Sequence, residues 1–304
     1  MSVVAKIKQN RRPLLMLLCM TLGVALFRPL SVVDSLTHHT ITPVLIFSML
    51  FVTFCRVKIH ELKFTWLHLS MILFQVVASP IIYVALLPFG ELVAQGGMIC
   101  LLTPVAMGAV AIVALLGGNV SVIAGYTLVC NLVIAFVAPY YLDIFGNGEC
   151  TLLQILSRVA PLLLMPLVAA QSLKKIWLPA AEWIAARSQM SFYMWLLTML
   201  ITLARTTNYI VEVHETISLS VGLSLALVAL VACVVQYLIG HIIGVRHGEA
   251  VAGTQSLGQK NTMLAVWLAQ SFLSPVSSIA PTAYIIWQNL ANSYQIYRYE
   301  NRQR

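Results

Sequence analysis

Residues 256–265 read SLGQKNTMLA, a glycine, two amides and a lysine inside an otherwise apolar stretch. Charging an amine at the middle of a membrane costs several kcal/mol unless it has a partner or a wet cavity, so an intramembrane lysine is a functional-site candidate. Ser256, Gln259, Lys260, Asn261 and Thr262 supply hydroxyls, amides and one cation, groups that hold anions, protons or each other. If Lys260 loses its proton in one state of a cycle, it would couple that cycle to protons, because burial disfavours a charged amine.

A second polar interruption lies in TPVAMGAVAIVALLGGNVS, residues 103–121. Pro104 removes a backbone donor and disfavours helix before it, and Gly108, Gly117 and Gly118 relax the chain further. Gly117 and Gly118 read as the turn into the next span. In the other stretch, Gly253 and Gly258 bracket Thr254, Gln255 and Ser256 and extend its interruption from 253 to 262. Broken backbone in a low-dielectric layer persists where protein, water or ligand satisfies it. A pair of interrupted hydrophobic segments in corresponding positions of two halves is the pattern of a secondary transporter.

Composition sets these stretches in a membrane. Of 304 residues 60% are hydrophobic, the mean hydropathy is +0.89, and 28 are Asp, Glu, Lys or Arg, about 9% where a soluble domain carries roughly a quarter. Runs long enough to cross a bilayer fall at 13–30, 40–55, 66–87, 92–117, 120–142, 152–172, 189–207, 217–240, 248–272 and 275–294. The second and seventh are short and can gain residues from their flanks. The basic start followed by an apolar run is read as a retained first helix, because more apolar spans follow and no cleavage site closes it.

The expected architecture is therefore all-α and polytopic, with ten transmembrane helices in two inverted five-helix repeats and discontinuous fourth and ninth helices. Residues 1–172 hold the first repeat and the start of the second, 173–188 form an interfacial linker, and 189–304 hold spans seven to ten. The linker, with IWLPAAEWIAARS, has the tryptophans and the Glu182 and Arg187 of a helix lying on the membrane surface. Five spans per half send the second half through from the opposite face.

Basic residues alternate by loop. Lys6, Lys8, Arg11, Arg12, Arg56, Lys58, Lys63, Lys174, Lys175, Arg187, Arg246, Arg298, Arg302 and Arg304 fall on one side, which places both termini in the cytoplasm and the chain in the cytoplasmic (inner) membrane. The other side holds Arg28 and loops such as YLDIFGNGEC and NYIVEVHE. The net charge of +8 reports this topology and attraction to anionic lipid; it lacks the single basic face of a nucleic-acid reader. Six cysteines, Cys19, Cys55, Cys100, Cys130, Cys150 and Cys233, form no CxxC pair and read as buried small hydrophobes, with no metal site implied. His38 with His39, and His241 with His247, lack the spacing of a metalloenzyme, so neither an enzyme nor a cofactor is expected. A sensor or scaffold of the same fold is the other non-enzymatic reading.

The block GQKNTMLAVWLAQSFLSPVSSIAPTAYIIWQNLANS resembles the last two helices of the bile acid:sodium symporter family, and TPVAMGAVAIVALLGGNVSVIAGYTLV resembles its first crossover, with Pro104, Gly118 and Asn119 at matching spacing. The likeness extends over the chain by span count and is that of a divergent, bacterial-type member. It implies a panel domain and a core domain assembled from both halves, and alternating-access transport of organic anions such as bile acids, sulfated steroids or small carboxylates. The family's sodium-ligand pattern is Glu-x-Gly-x-Gln-Asn. Here Ser256 stands at the glutamate, Lys260 at the glutamine, and Asn261 is kept; Ala109 and Val110 replace a Ser-Asn pair and Ile123 a serine, while Thr127 matches a family threonine. A sodium ion beside a charged lysine would be repelled, so sodium coupling is doubtful and the ammonium would substitute for the cation, holding the crossover together or facing the substrate. The alternative is sodium coupling through relocated ligands. The candidate site is Lys260, Gln259, Asn261, Ser256 and Thr262 on one side and Thr103, Pro104 and Gly108 on the other, with Asn119 and Thr127 secondary.

Overall fold

The computed structural model describes residues 11–56, 64–106, 108–146, 151–212 and 218–302. Lys6, Lys8, Lys58, Lys63, Arg304, Cys150 and parts of the two acidic loops lie outside the described residues. Every regular element among them is a helix, as a chain of long apolar runs requires where backbone groups must be paired within one segment.

The helices are α1 (Arg11–Ala25), α2 (Phe27–Leu36), α3 (Ile41–Arg56), α4 (Trp66–Leu86), α5 (Glu91–Leu102), α6 (Ala109–Leu115), α7 (Val120–Phe145), α8 (Leu152–Ile176), α9 (Leu178–Ala186), α10 (Ser188–Glu212), α11 (Leu219–Arg246), α12 (Ala250–Gly258), α13 (Thr262–Phe272) and α14 (Ile279–Arg302). Short 3₁₀ turns at Leu87–Phe89 and Pro275–Ser278 extend α4 and precede α14. Local sequence sets several starts: Thr151 and Gln154 form a capping box at α8, Asn119 accepts from the amides of Ser121 and Val122 at α7, and Asn261 accepts from Leu264 N at α13.

Four described helices are long and apolar enough to cross a membrane: α4 with its 3₁₀ extension, α7, α8 and α11; the α1–α2 pair would make a fifth. Their outward faces carry large apolar residues, among them Leu73, Phe136, Leu153, Val168 and Leu227, each more than half exposed. A surface of that kind belongs against lipid. The chain is a polytopic, all-helical membrane protein.

Two expectations about spans are corrected. The first, 13–30, is not one rod: Leu18–Ala25 and Phe27–Leu36 meet at 81°. Pro29 lies in the first turn of α2, where a missing amide costs nothing, so the residue that would break a continuous helix starts a new one. The interruption of 253–262 is shorter than expected, because α12 runs to Gly258 and leaves 259–261 as the link. Gly253 is a packing glycine instead. A Cβ there would lie 2.5 Å from Gly240 O and 2.6 Å from Gly244 Cα, so α11 and α12 touch backbone to backbone.

The helices sort into two groups by contact. In one, α10 packs on α1, α2 and α3, and α8 on α3 and α9. In the other, α11 packs on α5, α12 and α14, with α4 on α5 and α6 on α7. The groups meet where α7 lies on α8 and α13 lies on α10 and α3. The 173–188 linker contains α9, whose Trp183 ring stacks under the Arg187 guanidinium at 3.4 Å.

Candidate functional site: the crossing of two interrupted helices

The chain leaves helix at Thr103 and again at Gln259, and the two links lie against each other. Val105 and Lys260 pair as an isolated antiparallel bridge: Ala106 N donates to Gln259 O at 2.9 Å and Asn261 N donates to Pro104 O at 2.8 Å. Pro104 cannot donate, but its carbonyl is what the pairing uses. Each link thus satisfies backbone of the other where neither water nor lipid can.

The end of α5 shows why a cation stands here. A helix leaves its last four carbonyls without intrahelical partners, and all four are accounted for. Ile99 O accepts from Thr103 N and Oγ1 (3.3 and 3.1 Å), and Cys100 O from Gln236 Nε2 (3.3 Å). Leu101 O accepts from Lys260 Nζ at 2.9 Å, and Leu102 O from Gln75 Nε2 at 2.8 Å, which also serves Thr103 O. Lys260 is 1% exposed. Its ammonium sits at the partially negative end of a helix, where a cation is electrostatically favoured. This geometry answers the question posed by its position: the side chain faces neither lipid nor an open cavity, but a carbonyl of the opposing interrupted helix. Lys260 N in turn donates to Gln288 Oε1 at 3.0 Å, tying the link to α14.

Two pairs of the same residue types flank the crossing. Gln75 on α4 accepts from Tyr126 OH on α7 at 2.9 Å while it holds the carbonyls after α5. Gln236 on α11 donates to Tyr284 OH on α14 at 3.0 Å, and Tyr284 donates to Gly258 O, the last carbonyl of α12, at 2.9 Å. All four side chains are buried. Sequence reasoning missed them, although a lone glutamine in VVQYLIG or ILFQVVAS is a visible interruption of an apolar run.

No protein-family model and no curated protein sequence matches the chain. The positions of the candidate residues therefore rest on geometry alone. Lys260, Gln259, Asn261, Thr262, Ser256, Thr103 and Pro104 are brought together in and beside the crossing, all of them buried. Ser256 Oγ and Asn261 Nδ2 are buried with no hydrogen-bond partner among the described residues. Each such group costs about 1–3 kcal/mol.

The remaining candidates stand apart. Gly108 is exposed at the start of α6 with open space around it. Asn119 is exposed and donates to Glu249 Oε1 at 2.8 Å, joining the start of α7 to the start of α12. Thr127 is buried, but its hydroxyl is spent on Ile123 O one turn back. Cys55, Cys100, Cys130 and Cys233 are buried free thiols. His68 is also fully buried, bonding Thr65 through Nδ1 and Val122 O through Nε2 as a brace between α4 and α7.

Proposed function

We propose that the protein is a secondary transporter of organic anions that works by alternating access, with the Lys260 ammonium occupying the place that a bound cation takes in related carriers. The observation that carries this reading is the crossing itself: two interrupted helices paired through backbone at 104–106 and 259–261, with a buried lysine on the carbonyl end of one of them. Interrupted helices crossing near the midplane are the recurring scaffold of substrate sites in secondary transporters.

The Gln–Tyr pairs support an inverted repeat. Counting α1–α2, α3, α4, α5–α6 and α7 as five spans and α8, α10, α11, α12–α13 and α14 as five more, Gln75 and Gln236 both fall on the third span of their half, and Tyr126 and Tyr284 on the fifth. Ten spans in two halves also give the two contact groups a natural meaning. The α1–α3 and α8–α10 group is a panel against which the crossing-bearing core moves, α9 lies at the cytoplasmic surface, and both termini are cytoplasmic. Nothing in this reading involves covalent catalysis; the work is differential binding in two states.

In proteoliposomes, uptake of a responsive organic anion is expected to be equal when external sodium is replaced by potassium. Candidates are first found by thermal stabilisation with bile acids, sulfated steroids and small carboxylates in both salts at two pH values. The Lys260→Met carrier is expected to lose at least nine-tenths of that uptake, roughly the tenfold that one charge-assisted hydrogen bond is worth. Stabilisation confined to sodium would favour the sodium-coupled alternative. Full transport by Lys260→Met would sink the role given to the lysine.

A further inference from the structure

A chamber of about 640 Å³ lies away from the crossing, between α2, α10 and the far end of α13. None of the ten candidate residues lines it. Its size is that of a site for a small organic molecule, and its charges are incompletely paired.

Asp34 on α2 is 1% exposed. Its Oδ2 is taken by His39 Nδ1 at 2.6 Å, whereas Oδ1 is buried with no hydrogen-bond partner among the described residues. The turn that returns His39 onto Asp34 requires positive φ at two successive non-glycine residues, 50° at His38 and 57° at His39. Such backbone is uncommon and is held here by the pairing it makes possible. Across the chamber, Arg205 on α10 is within electrostatic reach of Asp34 yet forms no ion pair within 4 Å among the described residues. Arg28 lines the chamber from α2. Glu212, at the rim, is engaged by Asn208 Nδ2 at 2.6 Å. Gln270 on α13 completes the wall and donates to Thr206 Oγ1 of α10 at 3.0 Å.

A buried carboxylate oxygen without a donor and a guanidinium without a carboxylate are costly separately and complementary to one kind of molecule. We propose that this chamber binds an organic anion that also carries a hydrogen-bond donor, its anionic end on Arg205 and Arg28 and its hydroxyl or ammonium on Asp34 Oδ1. As a station in a transport cycle the chamber rests on the carrier reading above; as a binding site it does not. Its wall is continuous with the crossing through α13, on which Gln270 follows Thr262 by about 12 Å of helix.

The test is equilibrium binding to the purified full chain of a ladder of ω-hydroxy and ω-amino carboxylates of four to eight carbons, each against the fatty acid of equal length. At least one rung is expected to bind about tenfold more tightly than its matched fatty acid. Asp34→Asn should remove the preference for the ammonium while leaving fatty-acid affinity within about twofold, and Arg205→Gln should weaken every carboxylate about tenfold. If either variant does not fold, the wild-type ladder alone decides. Equal affinities for every matched pair would overturn the proposal, as would an ammonium preference that survives Asp34→Asn. Ladder binding without transport of any organic anion would defeat the carrier reading and leave the chamber's assignment standing; transport with no donor preference would do the reverse.

Discussion

Gln75 touches four partners with one amide: its nitrogen serves Leu102 O and Thr103 O, and its oxygen accepts from Tyr126 OH and, at 3.5 Å, from Cys130 Sγ. Replacing it with leucine keeps the volume and orphans all four. Each buried polar group left unpaired costs about 1–3 kcal/mol, so Gln75→Leu should lower stability by several kcal/mol, read as a large fall in the melting temperature in detergent. Gln75→Glu is the sharper variant: the carboxylate could still accept from Tyr126 but would face the two carbonyls with no donor when ionised. It should be no better tolerated than leucine. Lys260 was legible because a charge in an apolar run has few bland explanations. The glutamines were not, since a single amide in a long helix has no periodic signature and its partners lie 27 and 136 residues away in sequence.

The α11–α12 hairpin depends on absent side chains. Gly240, Gly244 and Gly253 bring two helices into backbone contact, and any Cβ at 253 meets backbone rather than a movable side chain. Gly253→Leu should force the helices apart and abolish the folded species on size exclusion, while the same substitution at Gly222, where nothing lies within 4 Å, should be silent. Gly253 was expected to mark the edge of an interruption, and local sequence cannot distinguish a glycine that frees the backbone from one that admits a neighbour. The span starts and ends were more readable, because helix caps and prolines act locally; Pro29 marked the start of α2 had it been taken as a helix-initiating residue. Where α5 and α12 end was also foreshadowed, by Pro104 and by the amides after Gly258, but that the two links pair with each other is a fact of tertiary structure.

For the molecule as a whole, the contact between α10 and α13 joins the two helix groups and contains the hydrogen bond from Gln270 to Thr206. If one group moves against the other, this contact must change during the cycle. A double variant, Thr206→Cys with Gln270→Cys, in a chain whose native cysteines are replaced, should stop transport when bridged by a short bifunctional thiol reagent. Cleaving the bridge should restore the rate, and each single variant should be insensitive to the reagent. Undiminished transport in the bridged protein would mean that these groups move as one body. The chamber beside this contact was invisible in the sequence: Asp34 and Arg205 are separated by more than half of the chain, and the adjacent histidines had looked ordinary until the backbone turned one of them onto Asp34.

The covalent stem of Lys260 has an energetic consequence. A gradient does work only through a particle that binds on one side and departs on the other. The ammonium that closes the end of α5 cannot depart, so whatever stability it lends the crossing is the same at every external salt composition and contributes no driving force. On the carrier reading, a protein built this way moves its substrate down the substrate's own gradient or in exchange for another, unless the lysine gives up its proton on the way.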